Sequence, residues 1–367
     1  MNQQSKRVLS PEVPEHEAFS DADAAVARLS ELYRTASQFL SEQFSDALAN
    51  GMPQQRIRAF YPELRLTTTR LAATDSRLRY GHVVEPGRYA TTNTRPDLFA
   101  HYLRQQIGLL LKNHGMPVQV GVSSTPMPLH FAVANDPTLT VPQEGGGDFT
   151  LRDVFDVPDL ANMNDDIVNG MDFKYPDGAR PLALFTAQRV DYSLARLSHY
   201  TATEAAHFQN HVLFTNYQFY VDEFEAYARE MLSDPDSGYT SFVGPGNVEI
   251  KEAKAKMPKP DKLPQMPTYH LKRAGGAGIT LVNIGVGPSN AKTATDHIAV
   301  LRPHAWLMVG HCAGLRNTQR LGDFVLAHGY LRDDHVLDDD LPVWMPIPAL
   351  AEMQEALEDA VEDVTKL

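Results

Sequence analysis

A chain of 367 residues with 43% hydrophobic content can bury a sizeable core, and that length suggests two or three domains. The formal charge of -13 disfavours broad electrostatic binding to nucleic acid or to an anionic membrane, while leaving room for a small basic pocket that holds a phosphate. One cysteine, no amino-terminal apolar segment and no apolar run of membrane-spanning length exclude an internal disulfide and a multi-cysteine metal site, indicate neither export nor insertion, and point to the cytoplasm.

Residues 1–19 are polar, with prolines at 11 and 14, and are expected to fray as a flexible tail. Ser20, with Asp23 three residues on, reads as the N-cap of a long helix. Its apolar face carries Val26, Leu29, Tyr33, Ala36, Leu40, Phe44 and Leu48, and Asn50 and Gly51 end it. Residues 64–69 and 88–93 have β-branched content and read as strands. Arg95-Pro96 starts a second helix through Leu98, Tyr102, Ile107 and Leu111 that closes at Gly115, and residues 118–122 and 129–133 read as further strands. Helix, strands, helix, strands is the order of an α+β domain, here spanning 20–250. Residues 135–180, rich in Asp, Asn, Gly and Pro, read as a long surface excursion with a turn at Gly145, Gly146 and Gly147.

Residues 188–203 mix Arg189, Arg196, Tyr192, Tyr200, His199 and several hydroxyls. Arg supplies a bidentate fork and hydroxyls supply short donors for a phosphate or phosphosugar; a surface that pairs with acidic neighbours or a partner subunit fits the same letters. Residues 212–215 read as a strand. The helix after it carries Tyr217, Tyr220, Val221, Phe224, Tyr227, Ala228 and Met231 as a core stripe. Residues 251–267 hold five lysines and four prolines, a composition that packs poorly and reads as an interdomain linker; without interleaved aromatic residues it is a weak nucleic-acid patch.

The chain is organised around residues 278–314. Residues 279–284 form an apolar, β-branched run that stops at Gly285 and Gly287, after which Pro288 and Ser289 open a helix; residues 306–309 form a second strand that ends in Gly310, His311, Cys312, Ala313 and Gly314. In a parallel sheet the two turns share the carboxyl edge, where ligands of open α/β sheets bind. Unpaired N–H donors at the helix start and the lack of side chains at the glycines suit an anion or nucleotide, although the same glycines also serve simply to shape a strand-to-helix turn. A dinucleotide-binding fold is the weaker reading and is set aside, because Asn290 stands where its third glycine belongs and no Asp or Glu lies between Asp296 and Asp323 to hold a ribose. Cys312 reads as a small buried packing residue in preference to a nucleophile. Residues 321–327 read as another strand and 348–364 as a final helix. The run Asp333, Asp334, His335 with Asp338, Asp339 and Asp340 fits a solvated acidic loop better than a metal site, and no metal is expected.

Residues 279–292, the 310–314 turn and residues 330–338 resemble AMP nucleosidases. Residues 189–197, His199-Tyr200-Thr201, His207-Phe208-Gln209 and residues 213–217 are similar to the amino-terminal domain of the same family. The resemblance covers nearly the whole chain and is weakest before residue 55 and in the Lys/Pro stretch. It implies hydrolysis of the N-glycosidic bond of AMP to adenine and ribose 5-phosphate, on an α/β domain of the nucleoside phosphorylase fold preceded by a regulatory α+β domain. It also implies a homohexamer, MgATP as an allosteric activator and no cofactor for the chemistry. By that resemblance the substrate-binding residues are Gly285, Val286, Gly287, Gly310, Cys312, Ala313 and Gly314, with Arg189 and Arg196 on the 5′-phosphate and Tyr200 and Thr201 as helpers.

Related phosphorylases hold their nucleophilic phosphate with an Arg and a Ser, at positions matched here by Met308 and His311. Loss of the Arg fits water as the nucleophile, with His311 either orienting that water or serving as a hydrogen-bonded core histidine. The family's purine-protonating Asp and ribose-gripping Met-Glu pair are not found among these residues, and 268–367 holds too few strands to close a phosphorylase sheet. The expectation is therefore a partial catalytic domain, inactive or nearly so by itself. The rival reading is a non-catalytic nucleotide-sensing and assembly module.

Overall fold

A computed structural model describes residues 8–71, 81–134, 151–258, 260–333 and 341–365. The chain divides into two compact units, Met1–Arg196 and Leu197–Leu367.

In the first unit the strands β1 (Val8–Leu9) and β2 (Glu17–Phe19) precede the helix α1 (Ala22–Asn50), followed by β3 (Arg56–Ile57), β4 (Phe60–Thr68) and β5 (Gly87–Thr92). Helix α2 (Ala100–His114), strand β6 (Val118–Pro126), the short helices α3 (Leu129–Ala132) and α4 (Leu151–Val154) and strand β7 (Arg180–Pro181) complete it, and the helix α5 (Ala187–Thr201) carries the chain across the division. The main sheet has the order β2-β6-β4-β5-β7, antiparallel except for β5 with β7. One stripe of α1 covers it. Leu29, Leu32 and Ala25 pack with Leu64, Leu66, Ile107 and Val120, while Leu40 and Phe44 pack with Tyr61, Met127, Leu129 and Phe155. Each fully buried side chain of this size contributes about 2 kcal/mol relative to an exposed one.

Several expectations change here. The flexible tail is not one from residue 8 onward, since β1 pairs with β3 and β2 pairs with the edge of β6. Edge pairing uses backbone groups, so polar side chains do not reveal it. The N-cap of α1 is Asp21, not Ser20, its carboxylate accepting from the Ala24 amide at 2.8 Å. Residues 129–132 are a helix because Pro128 opens a turn there and no alternation follows. Within the expected surface excursion, residues 135–150, including the triple-glycine turn, lie outside the described residues. The remainder is partly core: Phe155 is fully buried, and Met163, Tyr175 and Ala179 are buried.

The second unit contains β8 (His211–Thr215), α6 (Gln218–Ser233), β9 (Tyr239–Gly244), β10 (Val248–Ile250), β11 (Thr268–Arg273), β12 (Ile279–Asn283), α7 (Pro288–Ile298), β13 (Ala305–Met308), β14 (Gly329–Tyr330), β15 (Ile347–Pro348) and α8 (Ala351–Thr365). Its six-stranded sheet has the order β10-β9-β11-β12-β8-β13, with β12, β8 and β13 parallel and the rest antiparallel. Side chains alternate across it. Val212, Phe214 and Val282 meet Ala294 and Ile298 of α7 on one face, and Leu281, Leu271 and Phe242 meet Val221, Phe224 and Ala228 of α6 on the other. Two members of the α6 stripe, Tyr217 and Tyr227, are exposed instead of core.

The expected linker at 251–267 does not separate two domains. Strands before it and after it share one sheet, and the division falls at Arg196/Leu197 within α5. A lysine- and proline-rich stretch is a poor packer, yet it spans a loop within a unit as readily as between units. Residues 321–327 form no strand; Leu321, Phe324 and Val325 are exposed, as are Leu315 and Trp344. An apolar run becomes a parallel strand only where both faces are covered, and no layer covers this one among the described residues.

Candidate functional site

The two glycine turns follow β12 and β13, and both strands run parallel to β8, which lies between them: Asn283 pairs with Thr215 and Met308 with Phe214. The turns therefore share the carboxyl edge of the sheet. They are separated by the end of β8, so Thr215, Asn216 and Tyr217 stand at the centre of that edge. Gly285 (φ 68°) and Gly287 (φ 110°, ψ 151°) take conformations that L side chains rarely adopt. The Asn283 side-chain oxygen accepts from the Gly285 amide at 3.2 Å, which fixes the start of the turn. Gly287 is the N-cap of α7 and no side chain caps that end; Val286 beside it is 80% exposed. Open N–H donors and partial positive charge therefore face solvent at the sheet edge. Replacing Gly287 by alanine is expected to destabilise the second unit by about 1–3 kcal/mol through its backbone conformation alone, read by urea titration.

In the second turn Gly310, His311, Cys312, Ala313 and Gly314 are all exposed. Cys312 is thus not the buried packing residue expected, and His311 is not a core histidine. The His311 ring stands edge-on to Tyr217 with centroids 4.3 Å apart and lies 5.4 Å from Tyr220, whose hydroxyl donates to the Gly310 carbonyl at 3.4 Å. Beside it, the Asn216 side-chain oxygen is buried and accepts no hydrogen bond from any described residue. The residues at the end of β8 were missed as site residues. Their signal is the same strand, turn, helix pattern as β12 and α7, with Asn and Tyr in place of the glycines.

The phosphate candidates on α5 fall in different units. Arg189 is buried in the first, where its guanidinium donates to Asp165 at 2.7 Å and to the Ser193 hydroxyl and lies 5.7 Å from the Phe185 ring and 5.9 Å from that of Tyr192. Arg196 is half-buried in the same unit. Tyr200 and Thr201 belong to the second. Tyr200 stacks on His297 at 6.1 Å, and the buried Thr201 hydroxyl donates to the Leu197 carbonyl at 2.7 Å, so that hydroxyl is already engaged.

Thr201 is the end of a chain of bonds through the core of the second unit. Because its one proton goes to Leu197, it must accept from the Thr203 hydroxyl at 3.0 Å. Thr203 in turn accepts from His270 Nε2 at 3.0 Å, and His270 Nδ1 accepts from the Thr280 hydroxyl at 2.9 Å, while Thr280 accepts from the Gln209 amide at 2.8 Å. The direction fixes the Nε2–H tautomer. Burial, with His207 and Lys272 nearby, holds the His270 imidazole well below its ordinary range and therefore neutral. In the first unit the buried Asp191 accepts from the Tyr61 hydroxyl at 2.6 Å and from Thr94 at 2.7 Å, and burial pushes its carboxyl up to about 7.

Among the described residues no group of three or more His, Cys, Asp or Glu side chains is arranged to hold a metal ion; of the acidic run, residues 334–340 lie outside them. No described helix is long and apolar enough to cross a membrane.

Residues 24–179 match the family described as "Bacterial AMP nucleoside phosphorylase N-terminus", and residues 246–366 match "Phosphorylase superfamily". The AMP nucleosidases of Escherichia coli strains K12 and O157:H7 are each 42% identical over 354 residues, 93% of this chain and 72% of the relative. A solved AMP nucleosidase from Bacteroides thetaiotaomicron is 22% identical, covering 48% of this chain and 64% of that one with a TM-score of 0.36, a likeness too slight to carry an argument. Identity of 42% across nearly the whole chain, with both halves matched in order, shows that the chain belongs to the AMP nucleosidase family, enzymes that hydrolyse glycosidic bonds.

Proposed function

We propose that the chain acts on AMP, hydrolysing the N-glycosidic bond to adenine and ribose 5-phosphate. The observation that carries this reading is the 42% identity to AMP nucleosidases over 93% of the chain. The shared edge of the two turns supports it, since such an edge is where α/β sheets take their ligands. In this reaction the sugar gains oxocarbenium character as the purine leaves, so a water must be held at the anomeric carbon and the base must take a proton. His311 is the candidate for orienting that water, because it is exposed at the edge and held by Tyr217 and Tyr220. Met308 brings no charge to clamp a nucleophilic phosphate, which supports water over phosphorolysis.

Arg189 and Arg196 as 5′-phosphate ligands, MgATP as an activator, a homohexameric assembly and a cytoplasmic location belong to the same proposal and rest on the family resemblance. Slow turnover by this chain alone also belongs to it: Leu315, Leu321, Phe324 and Trp344 lie exposed after β13, so water is poorly excluded from that side. The test is incubation of the purified chain with AMP or adenosine, with and without inorganic phosphate, following adenine and ribose 5-phosphate. The expected result is release from AMP that needs no phosphate, at a rate far below an ordinary turnover number of about 10 per second. Release that depends on phosphate, or equal use of adenosine, overturns the reaction proposed; an ordinary rate overturns only the slow turnover.

A further inference from the structure

We propose that Asn216 selects a ribonucleotide over a 2′-deoxyribonucleotide by accepting a hydrogen bond from the ribosyl 2′-hydroxyl. This assignment rests on the nucleotide reading above and adds to it a contact to the sugar from this chain's own residues, beside the Met-Glu pair to which the family resemblance gives the ribose. Asn216 follows the central parallel strand β8 at the sheet's carboxyl edge, flanked by the turns after β12 and β13. Its side-chain oxygen is buried and accepts no hydrogen bond from the described residues. A buried acceptor in that condition calls for a donor.

The neighbourhood says which donor. A Cβ built on Gly310 would stand 3.6 Å from the Asn216 oxygen, so the amide lies against the backbone of the residue that precedes His311. If His311 orients water at the anomeric carbon, the ligand donor nearest that carbon is the 2′-hydroxyl on the adjacent ring atom. The purine amino group is at the far end of the base. A contact at the 2-position also strengthens as the sugar takes on positive charge. A site built to bond a hydroxyl rejects the analogue that lacks it, because its own acceptor is then left unpaired.

The experiment is calorimetric titration of the full chain with AMP, 2′-deoxy-AMP, 3′-deoxy-AMP and inosine 5′-monophosphate, for the wild type, Asn216→Ala and Asn216→Asp. The wild type is expected to bind AMP at least about tenfold more tightly than 2′-deoxy-AMP. Asn216→Ala brings that ratio within about twofold, whereas Asn216→Asp, which keeps an acceptor, preserves it. Should the alanine variant not fold, Asn216→Leu, close in size and without any acceptor, is read in its place. The assignment is overturned if the wild type does not discriminate, if the ratio survives in the alanine or leucine variant, or if the discrimination lost is that against 3′-deoxy-AMP or inosine 5′-monophosphate. Failure of the wild type to bind AMP at all overturns the nucleotide reading, and this assignment with it.

Discussion

Replacement of His270 by alanine is expected to destabilise the second unit by about 3–5 kcal/mol. The imidazole is fully buried and joins Thr280 on β12 to Thr203 beyond the end of α5, so its loss leaves a cavity and two hydroxyls without their partner. Asn or Gln retains one of those bonds and should cost less. Trp306 of this unit lies 6.0 Å from the Phe214 ring, so its fluorescence in a urea titration reads the unit's unfolding. The pH dependence has a definite sign. In the fold His270 stays neutral, while in the unfolded chain it titrates near its ordinary value of 6.5. Stability is therefore complete above about pH 6.5 and falls as the pH drops below it, by up to about 1.4 kcal/mol per unit. His207, lowered by burial and Lys272, adds in the same direction against the opposing charges of Glu204 and Glu249. A variant no less stable than the wild type, or a wild type whose second unit is indifferent to acid, contradicts this reading of the network.

The first unit should respond to pH in the opposite way. Asp191 is held near 7 in the fold against about 3.8 in the unfolded chain, because burial outweighs the hydrogen bonds from Tyr61 and Thr94 and the charge of Arg95. Tyr33 and Tyr61, both pushed up, and Asp97 also face this cluster. Between pH 4 and pH 7 the folded state binds a proton that the unfolded state has lost. Stability is thus greatest below about pH 4 and declines as the pH rises to 7, on the order of 3–4 kcal/mol in all. Asp191→Asn cannot ionise and should flatten this slope, leaving the unit at least as stable as the wild type at pH 8. Hydrogen exchange of α1 peptides in urea at pH 5 to 8, corrected for intrinsic rates, checks it. A slope that persists in the asparagine variant assigns the titration to another group.

Much of the frame was legible where side-chain periodicity fixed it. The α1 stripe through Leu29, Leu40 and Phe44, the strands around residues 212–215 and 279–284, and the turns at Gly285 and Gly310 are where the pattern places them. What escaped has physical reasons. Strands β1 and β2 are held by backbone pairing at edges, to which polar side chains are indifferent. The unit division lies inside α5, whose sequence is continuous helix, while the proline-rich stretch only joins two strands of one sheet. Residues 321–327 have strand composition but no covering layer. His270 and Asp191 look like ordinary members of a strand and a helix; their partners, Thr203, Thr280, Tyr61 and Thr94, come together only in three dimensions. At the candidate site the glycines were readable, but Asn216 was not, because its importance comes from β8 standing between β12 and β13.

That the carboxyl edge of the second unit receives the nucleotide is tested most directly by titrating AMP into the isotopically labelled chain and following its backbone amides. The account predicts shifts at Gly285, Gly287, Ser289, Asn216 and Gly310, weaker on addition of adenine alone. Shifts absent from both turns while AMP binds elsewhere in the chain would contradict it.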